Sequence, residues 1–196
     1  MKQDIILAGV GGQGILSIAF VIDSAALKEG LMVKEAEVHG MSQRGGAVQS
    51  HLRLSQEQIF SDLIPKGEAD LILSVEPLET LRYLDYLRPE GTVISSRSPF
   101  VNIPDYPDLE KILTAISRAG RHLLVDSEEL AKKAGSSRTQ NMVMLGAASR
   151  LLMVKKENLV EFIETLFKPR GENIVTANLR AFELGREEAG LLAEKR

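Results

Sequence analysis

The chain has no cysteine among its 196 residues. That removes disulfides, a thiol nucleophile, a cysteine-ligated zinc and a cysteine-held iron–sulfur cluster from anything it does alone. Histidine is nearly as scarce: His39, His51 and His122 lie far apart, with no metal-ligand spacing. No apolar stretch approaches the roughly 18–20 residues that span a bilayer. The opening MKQDIILAGV does not read as a signal peptide, because its apolar run is short and the glycines from Gly9 to Gly14 interrupt it. The expected compartment is the cytoplasm. A charge excess is missing as well: 24 Lys and Arg against 27 Asp and Glu give a net charge of −3, so only a local basic face could meet nucleic acid. There is no P-loop lysine, since Gly14 is followed by Ile15-Leu16, and no serine sits in a nucleophile elbow. No histidine–carboxylate pair follows from spacing. On its own the sequence reads as half an enzyme.

What is present suits one ordinary globular domain, with 44% hydrophobic and 26% charged residues. Asp4 to Ala8 is a continuous apolar run, the pattern of a parallel strand covered on both faces. A glycine turn follows. Gly14 to Glu29 then carries Ile15, Ile18, Ala19, Ile22 and Ala25 at helical spacing, with Gly30 placed as its C-cap. Met32 to Val38 is a second strand, completing a βαβ unit. Ala47 to Leu54 alternates, with Val48, Ser50, Leu52 and Leu54 opposed to Gln49, His51 and Arg53. This predicts a strand exposed on one side, an antiparallel addition at a sheet edge. Further strands are expected at Ala69–Val75, Thr92–Ser95 and His122–Asp126. Helices are expected from Glu76 to about Leu87, Leu109 to Ala119 and Ser127 to Ala134. Arg97 to Leu109, with three prolines, is an irregular connection. After Gly135 the chain is helical over Thr139–Leu152, Lys156–Phe167 and Ile174 to about Ala193. The fold class is therefore α/β: a Rossmann-like three-layer sandwich on a mostly parallel sheet, with a helical C-terminal third.

Two glycine-rich loops carry the functional signal. Gly9-x-Gly11-Gly12-x-Gly14 stands between strand and helix, where small residues let phosphates approach the backbone and the helix N-terminus offers free N–H groups. Glu35 or Glu37, near the end of the second strand, is the candidate acidic partner of a dinucleotide ribose. The alternative is that the glycines serve only to pack the first helix on the sheet. In SQRGG, Arg44 is flanked by Gly45 and Gly46 at the end of the second strand, the edge where ligands collect in open α/β sheets. Its planar fork suits a phosphate or carboxylate; a plain exposed turn is the alternative. His39 adjoins the same crevice and could bond a ligand, or simply face solvent. His51 and Arg53 read as a solvated or interface face. Thr139 or a nearby serine opens a helix as its N-cap, and Met142, Met144 and Leu145 read as core or interface filling.

Taken together, ILAGVGGQGIL, EVHGMSQRGGAVQSHLRLS, ADLILSVEP and TQNMVMLGA resemble the gamma-type domain of the 2-oxoacid:ferredoxin oxidoreductases, from Ile5 to about Ala148. The His-Gly-Met-Ser-Gln-Arg-Gly-Gly form is most similar to the small (beta) subunits of the indolepyruvate branch. The resemblance implies one gamma-type domain over residues 1–196. It implies an assembly that oxidatively decarboxylates an arylpyruvate with coenzyme A, giving aryl-acetyl-CoA, carbon dioxide and reduced ferredoxin. Thiamine diphosphate and the iron–sulfur clusters would belong to a large (alpha) subunit, with ferredoxin met through the complex and neither nucleic acid nor membrane as a partner. The chain would be inactive alone, part of a hetero-oligomer and a possible homodimer in isolation. It implies no catalytic residue and no metal site here. From their position, Gly9, Gly11, Gly12, Gly14, Arg44, Gly45 and Gly46 are the candidate contacts for coenzyme A or the large subunit. Three alternatives stay open: a gamma subunit acting on pyruvate or 2-oxoglutarate, a stand-alone NAD(P)-binding oxidoreductase, and a scaffold whose glycine loops serve only packing and docking.

Overall fold

The computed structural model describes residues 1–39 and 45–194. Its strands are β1 (Lys2–Val10), β2 (Met32–His39), β3 (Ala47–Ser55), β4 (Ala69–Ser74), β5 (Leu87–Ser96) and β6 (Arg121–Val125). They form one sheet in the order β2-β3-β1-β4-β5-β6, in which β3 alone runs against the others. The helices are α1 (Ile15–Lys28), α2 (Pro77–Arg82), α3 (Leu109–Ser117), α4 (Ser127–Ala134), α5 (Gln140–Ala148), α6 (Lys156–Phe167) and α7 (Glu172–Glu194). Among the described residues, no helix is long and apolar enough to cross a membrane.

Strand alternation builds two cores. Ile5, Leu7, Leu71 and Leu73 point to one face and meet α1, α5, α6 and α7; Ile6, Ile72 and Val93 point to the other and meet Ile112, Leu113 and Ile116 of α3. The three-layer sandwich follows from that division. Met142, Met144 and Leu145 are fully buried core residues, as their spacing suggests. Leu159 and Ile163 of α6 bury within the domain, with Phe162 and Leu166 packed beside them.

The alternating segment 47–54 is antiparallel as expected, but it is neither at an edge nor exposed. As β3 it lies between β1 and β2, bonded to both. On its polar side Arg53 and His51 are satisfied internally, while Gln49 Oε1 is buried without a partner among the described residues. Arg53 forks onto the buried Asp4 carboxylate, with Nε to Oδ1 at 2.9 Å and Nη2 to Oδ2 at 3.1 Å, and Nη1 bonds the carbonyls of Ser61 and Leu63 at 3.0 Å each. His51 Nδ1 accepts the Ile64 N–H at 3.1 Å, and the ring meets Tyr86 edge-on. Burial and the nearby Arg53 charge lower the His51 pKa, in that order. Alternation shows which residues share a face. It does not show that residues 56–68 fold back over the polar one.

Helix ends also differ locally. The helix after Glu76 stops at Arg82, and β5 begins at Leu87, opposite Ala69. α5 ends at Ala148, where the Ser149 hydroxyl takes up the Gly146 carbonyl at 2.6 Å. α5 and α7 cross with backbones almost in contact. A Cβ on Gly146 would lie 1.9 Å from the Phe182 carbonyl oxygen, and one on Gly185 would lie 1.9 Å from that of Val143.

Candidate functional site

The first glycine turn forms as the spacing predicts, between β1 and α1. Gln13 closes it: its backbone N–H reaches the Val10 carbonyl at 3.0 Å and its Oε1 accepts the Val10 N–H at 2.8 Å. Gly12 and Gly14 hold φ of 100° and 78°, a region that disfavours any side chain. A Cβ on Gly9 would meet Ile15 Cδ1 at 2.7 Å and force that side chain to shift.

Gly11 does not keep its backbone free for a pyrophosphate. Its N–H donates to the Gly46 carbonyl at 2.8 Å, and its carbonyl accepts the Gly45 N–H at 3.4 Å. The two glycine loops predicted to share a sheet edge are therefore laced directly together. A third segment joins them, as Asn102 Nδ2 donates to the Gly45 carbonyl at 2.5 Å. Arg44 lies outside the described residues, as does the side chain of His39, the last residue of β2.

Glu37 is not where a ribose-binding carboxylate belongs. With β3 inserted, β2 stands two strand spacings, about 9.6 Å, from β1 instead of one. Glu35 and Glu37 face α1 instead. There, Glu35 Oε1 accepts the Ser50 hydroxyl at 2.9 Å and shares a hydrogen bond with Asp23, whose other oxygen is buried without a partner. Burial, then the Glu35 carboxylate, then the hydrogen bond to it, then Glu37, push the Asp23 pKa up to about 8.

The open ground lies on the other side of the turn. β1 leads into α1 on one face and β4 into α2 on the other, so the switch in connection direction falls between them, where ligands collect in such sheets. A cleft of about 760 Å³ sits there, bounded by Gly12–Ser17, Ser98–Phe100, the Ser136–Asn141 turn and the start of α7. α1 begins at Gly14 with no side-chain cap and no acidic residue in its first turn, leaving its positive end uncompensated. Arg138 and Arg170 line the same cleft, with Glu128 at its side. Arg170 also stacks over Phe167, 5.6 Å from the ring centre.

Asn141 is the residue that marks the cleft as built for a polar guest. It is 6% exposed, and its Nδ2 donates to the Gly14 carbonyl at 3.2 Å. Its Oδ1 is buried with no partner, which is costly unless a donor arrives. Gln140 beside it is held by Ser127, whose hydroxyl reaches Oε1 at 3.3 Å and also bonds Ser96 at 2.8 Å. The sequence showed Thr139, Gln140 and Asn141 only as a helix opening. The structure makes Ser136 the capping side chain of the preceding 3-10 turn, while Thr139 at the α5 N-cap makes no side-chain cap. Arg138, Asn141 and Arg170 were not legible as site residues, because nothing local distinguishes them from ordinary helix-end residues.

Residues 4–188 match the family model described as pyruvate ferredoxin/flavodoxin oxidoreductase. The chain belongs to that family. It is 38% identical over 196 residues to the indolepyruvate oxidoreductase subunit IorB of Thermococcus kodakarensis, covering 94% of this chain and 95% of that one. It is 30% identical over 192 residues to the 2-oxoglutarate synthase subunit KorC of Methanothermobacter marburgensis, covering 95% and 96%. Among solved structures it resembles the 2-oxoglutarate:ferredoxin oxidoreductase of Magnetococcus marinus, with 2-oxoglutarate, coenzyme A and succinyl-CoA bound. That match has a TM-score of 0.79 at 25% identity and covers 97% of this chain but 31% of the larger one. The family relationship and the expected sandwich therefore agree.

Proposed function

We propose that this chain is the cluster-free small subunit of an indolepyruvate (arylpyruvate):ferredoxin oxidoreductase. In that assembly it offers the cleft at the β1/β4 switch point to coenzyme A. The observation that carries the site is the orphaned Asn141 Oδ1 at the floor of a cleft lined by Arg138, Arg170 and the uncapped N-terminus of α1. These features match coenzyme A by chemistry: cations and backbone N–H groups for its phosphates, and a buried acceptor for an amide or amino N–H. The bound coenzyme A of the Magnetococcus marinus enzyme supports that choice, and the IorB relative supports the arylpyruvate.

A chain without cysteine cannot hold thiolate-bound clusters, so those belong to a large partner subunit, together with thiamine diphosphate. Bound in that partner, these groups would supply carbanion-stabilising and one-electron chemistry. This chain binds and orients the acyl acceptor and covers it from water; no side chain in the cleft is assigned a proton transfer. Gly12 and Gly14 of the first glycine loop line the cleft. Gly9 and Gly11 shape the same turn, and Gly45 and Gly46 brace it through Gly11 from outside the cleft lining.

The test uses the assembled, cytoplasmically expressed enzyme under anaerobic conditions, with indolepyruvate, pyruvate and 2-oxoglutarate compared as substrates. Arg138→Ala and Arg44→Ala should each raise KM for coenzyme A by about tenfold, the worth of one charged contact, with KM for the 2-oxoacid unchanged. Unaltered coenzyme A kinetics in both variants would remove the cleft from the reaction. Preference for 2-oxoglutarate would place the chain with KorC instead.

A further inference from the structure

One wall of the cleft is a proline-rich segment with little regular structure, and its position needs a cause. Ser98, Pro99 and Phe100 line the cleft directly, and Phe100 is 44% exposed. The segment is fastened from beneath by a carboxylate outside the cleft. Glu76, at the end of β4 and 1% exposed, uses both oxygens. Oε2 accepts the Glu79 N–H at 2.8 Å and caps α2; Oε1 accepts the Phe100 N–H at 3.2 Å and the Tyr106 hydroxyl in a short hydrogen bond. Tyr106 itself packs on the α3-side core. The distal end of the segment is tied to the glycine loops through Asn102 and Gly45.

We infer that Glu76 is a positioning residue for coenzyme A: through Phe100 N–H and the Tyr106 hydroxyl it fixes the Ser98–Phe100 wall at the width the ligand needs. The inference rests on reading the cleft as the coenzyme A site. Three donors on one buried carboxylate are a strong anchor, because bonds to an ionised acceptor exceed neutral ones and the acceptor has nowhere else to turn. The burial of Tyr106 and the Glu76 carboxylate beside it hold the phenol proton in place well above its usual range, so the strut stays intact over the working pH range.

Tyr106→Phe isolates the strut, since it deletes one hydroxyl and leaves both the α2 cap and the phenyl packing. Glu76→Gln is the companion variant, keeping an acceptor for Glu79 while losing the charge. In the assembled enzyme, Tyr106→Phe should raise KM for coenzyme A about five- to tenfold, less than the full value of one charge-assisted hydrogen bond because the strut acts through the wall, with kcat and KM for the 2-oxoacid unchanged. In the full chain alone, amide exchange at Phe100 should speed up while α2 and α3 stay protected. Normal coenzyme A KM in Tyr106→Phe alongside a raised one in Arg138→Ala overturns the inference and leaves the cleft reading standing. Normal values in both overturn the two together. A loss of kcat with a lower melting temperature would make Glu76 and Tyr106 merely structural, and would equally overturn the positioning role.

Discussion

Asp23→Asn should stabilise this protein near neutral pH, and the gain should disappear in acid. Asp23 sits on α1 against Glu35 and Glu37 of β2, with its carboxyl pushed up from 3.8 to about 8 by burial and those carboxylates. Between these two values the folded chain keeps a proton that the unfolded chain has released. Stability is therefore fully present below the unfolded value and is lost as pH rises toward about 8, after which the slope ends. Each pH unit inside the window costs about 1.4 kcal/mol, so the ceiling at pH 7 is roughly 4 kcal/mol. Asp23 is only partly enclosed, and solvent reaching the pair brings the expectation to about 2 kcal/mol, or about 4–8 °C in melting temperature for a chain of this length. Asparagine keeps the shape, has an amide N–H to give Glu35, and does not ionise. Thermal melts of both proteins from pH 3.5 to 8.5 at constant ionic strength make the comparison. The curves should converge below about pH 4 and separate steadily up to about pH 8. Parallel curves, or a variant less stable at every pH, would refute the assignment of the shared proton to this pair.

Other perturbations test separate parts of the argument. Gly185→Ala should cost more than about 3 kcal/mol in urea denaturation, because its Cβ would sit 1.9 Å from the Val143 carbonyl and drive α7 off α5. An unchanged midpoint would mean that the helices part without penalty. Arg53→Ala should cost about 3 kcal/mol, the low end for a broken buried pair, because the buried Asp4 carboxylate loses its fork and keeps only the half-exposed Lys2 ammonium, 2.8 Å from Oδ2, whereas Lys34→Ala, which removes a surface pair with Asp62, should cost under about 1 kcal/mol. Titration with NADH should give no saturable fluorescence change, since Gly11 is engaged by the second glycine loop and β3 separates Glu37 from the turn; micromolar binding would reopen the dinucleotide reading.

The βαβ start, the α3-side and C-terminal helices and the buried methionines were legible because periodicity reports which residues share a face. Both glycine loops were legible for a different reason: positive φ and backbone contact leave a compositional mark. What stayed hidden depended on partners distant in sequence. Arg53 and His51 read as a solvated or interface face until Asp4 and residues 61–64 cover them. Asn141 read as helix-opening filler until Gly14, 127 positions away, takes its amide. Glu76 looked like a residue before a helix-starting proline, which it is; the bonds to Phe100 and Tyr106 come from a segment with no pattern of its own.

The position of β3 explains how a dinucleotide-style turn can serve another ligand. In the usual doubly wound sheet the strand beside β1 carries the acid that reads the ribose, and the ligand lies across the turn toward it. Here an antiparallel strand occupies that place, pairing with β1 over its whole length from Lys2–Ser55 to Val10–Ala47. Gly45 and Gly46, just before this strand, then take up the Gly11 backbone groups that a pyrophosphate would need. The positive end of α1 survives the insertion, because Gly14 leaves it uncapped, but it is now approached from the β4 side, across Asn141 and toward the Arg138 and Arg170 guanidinium groups. One inserted strand thus closes the ribose side and leaves the phosphate side open. The proposed coenzyme A reading needs only that open side, since it asks for phosphate contacts and for no acid at the end of β2.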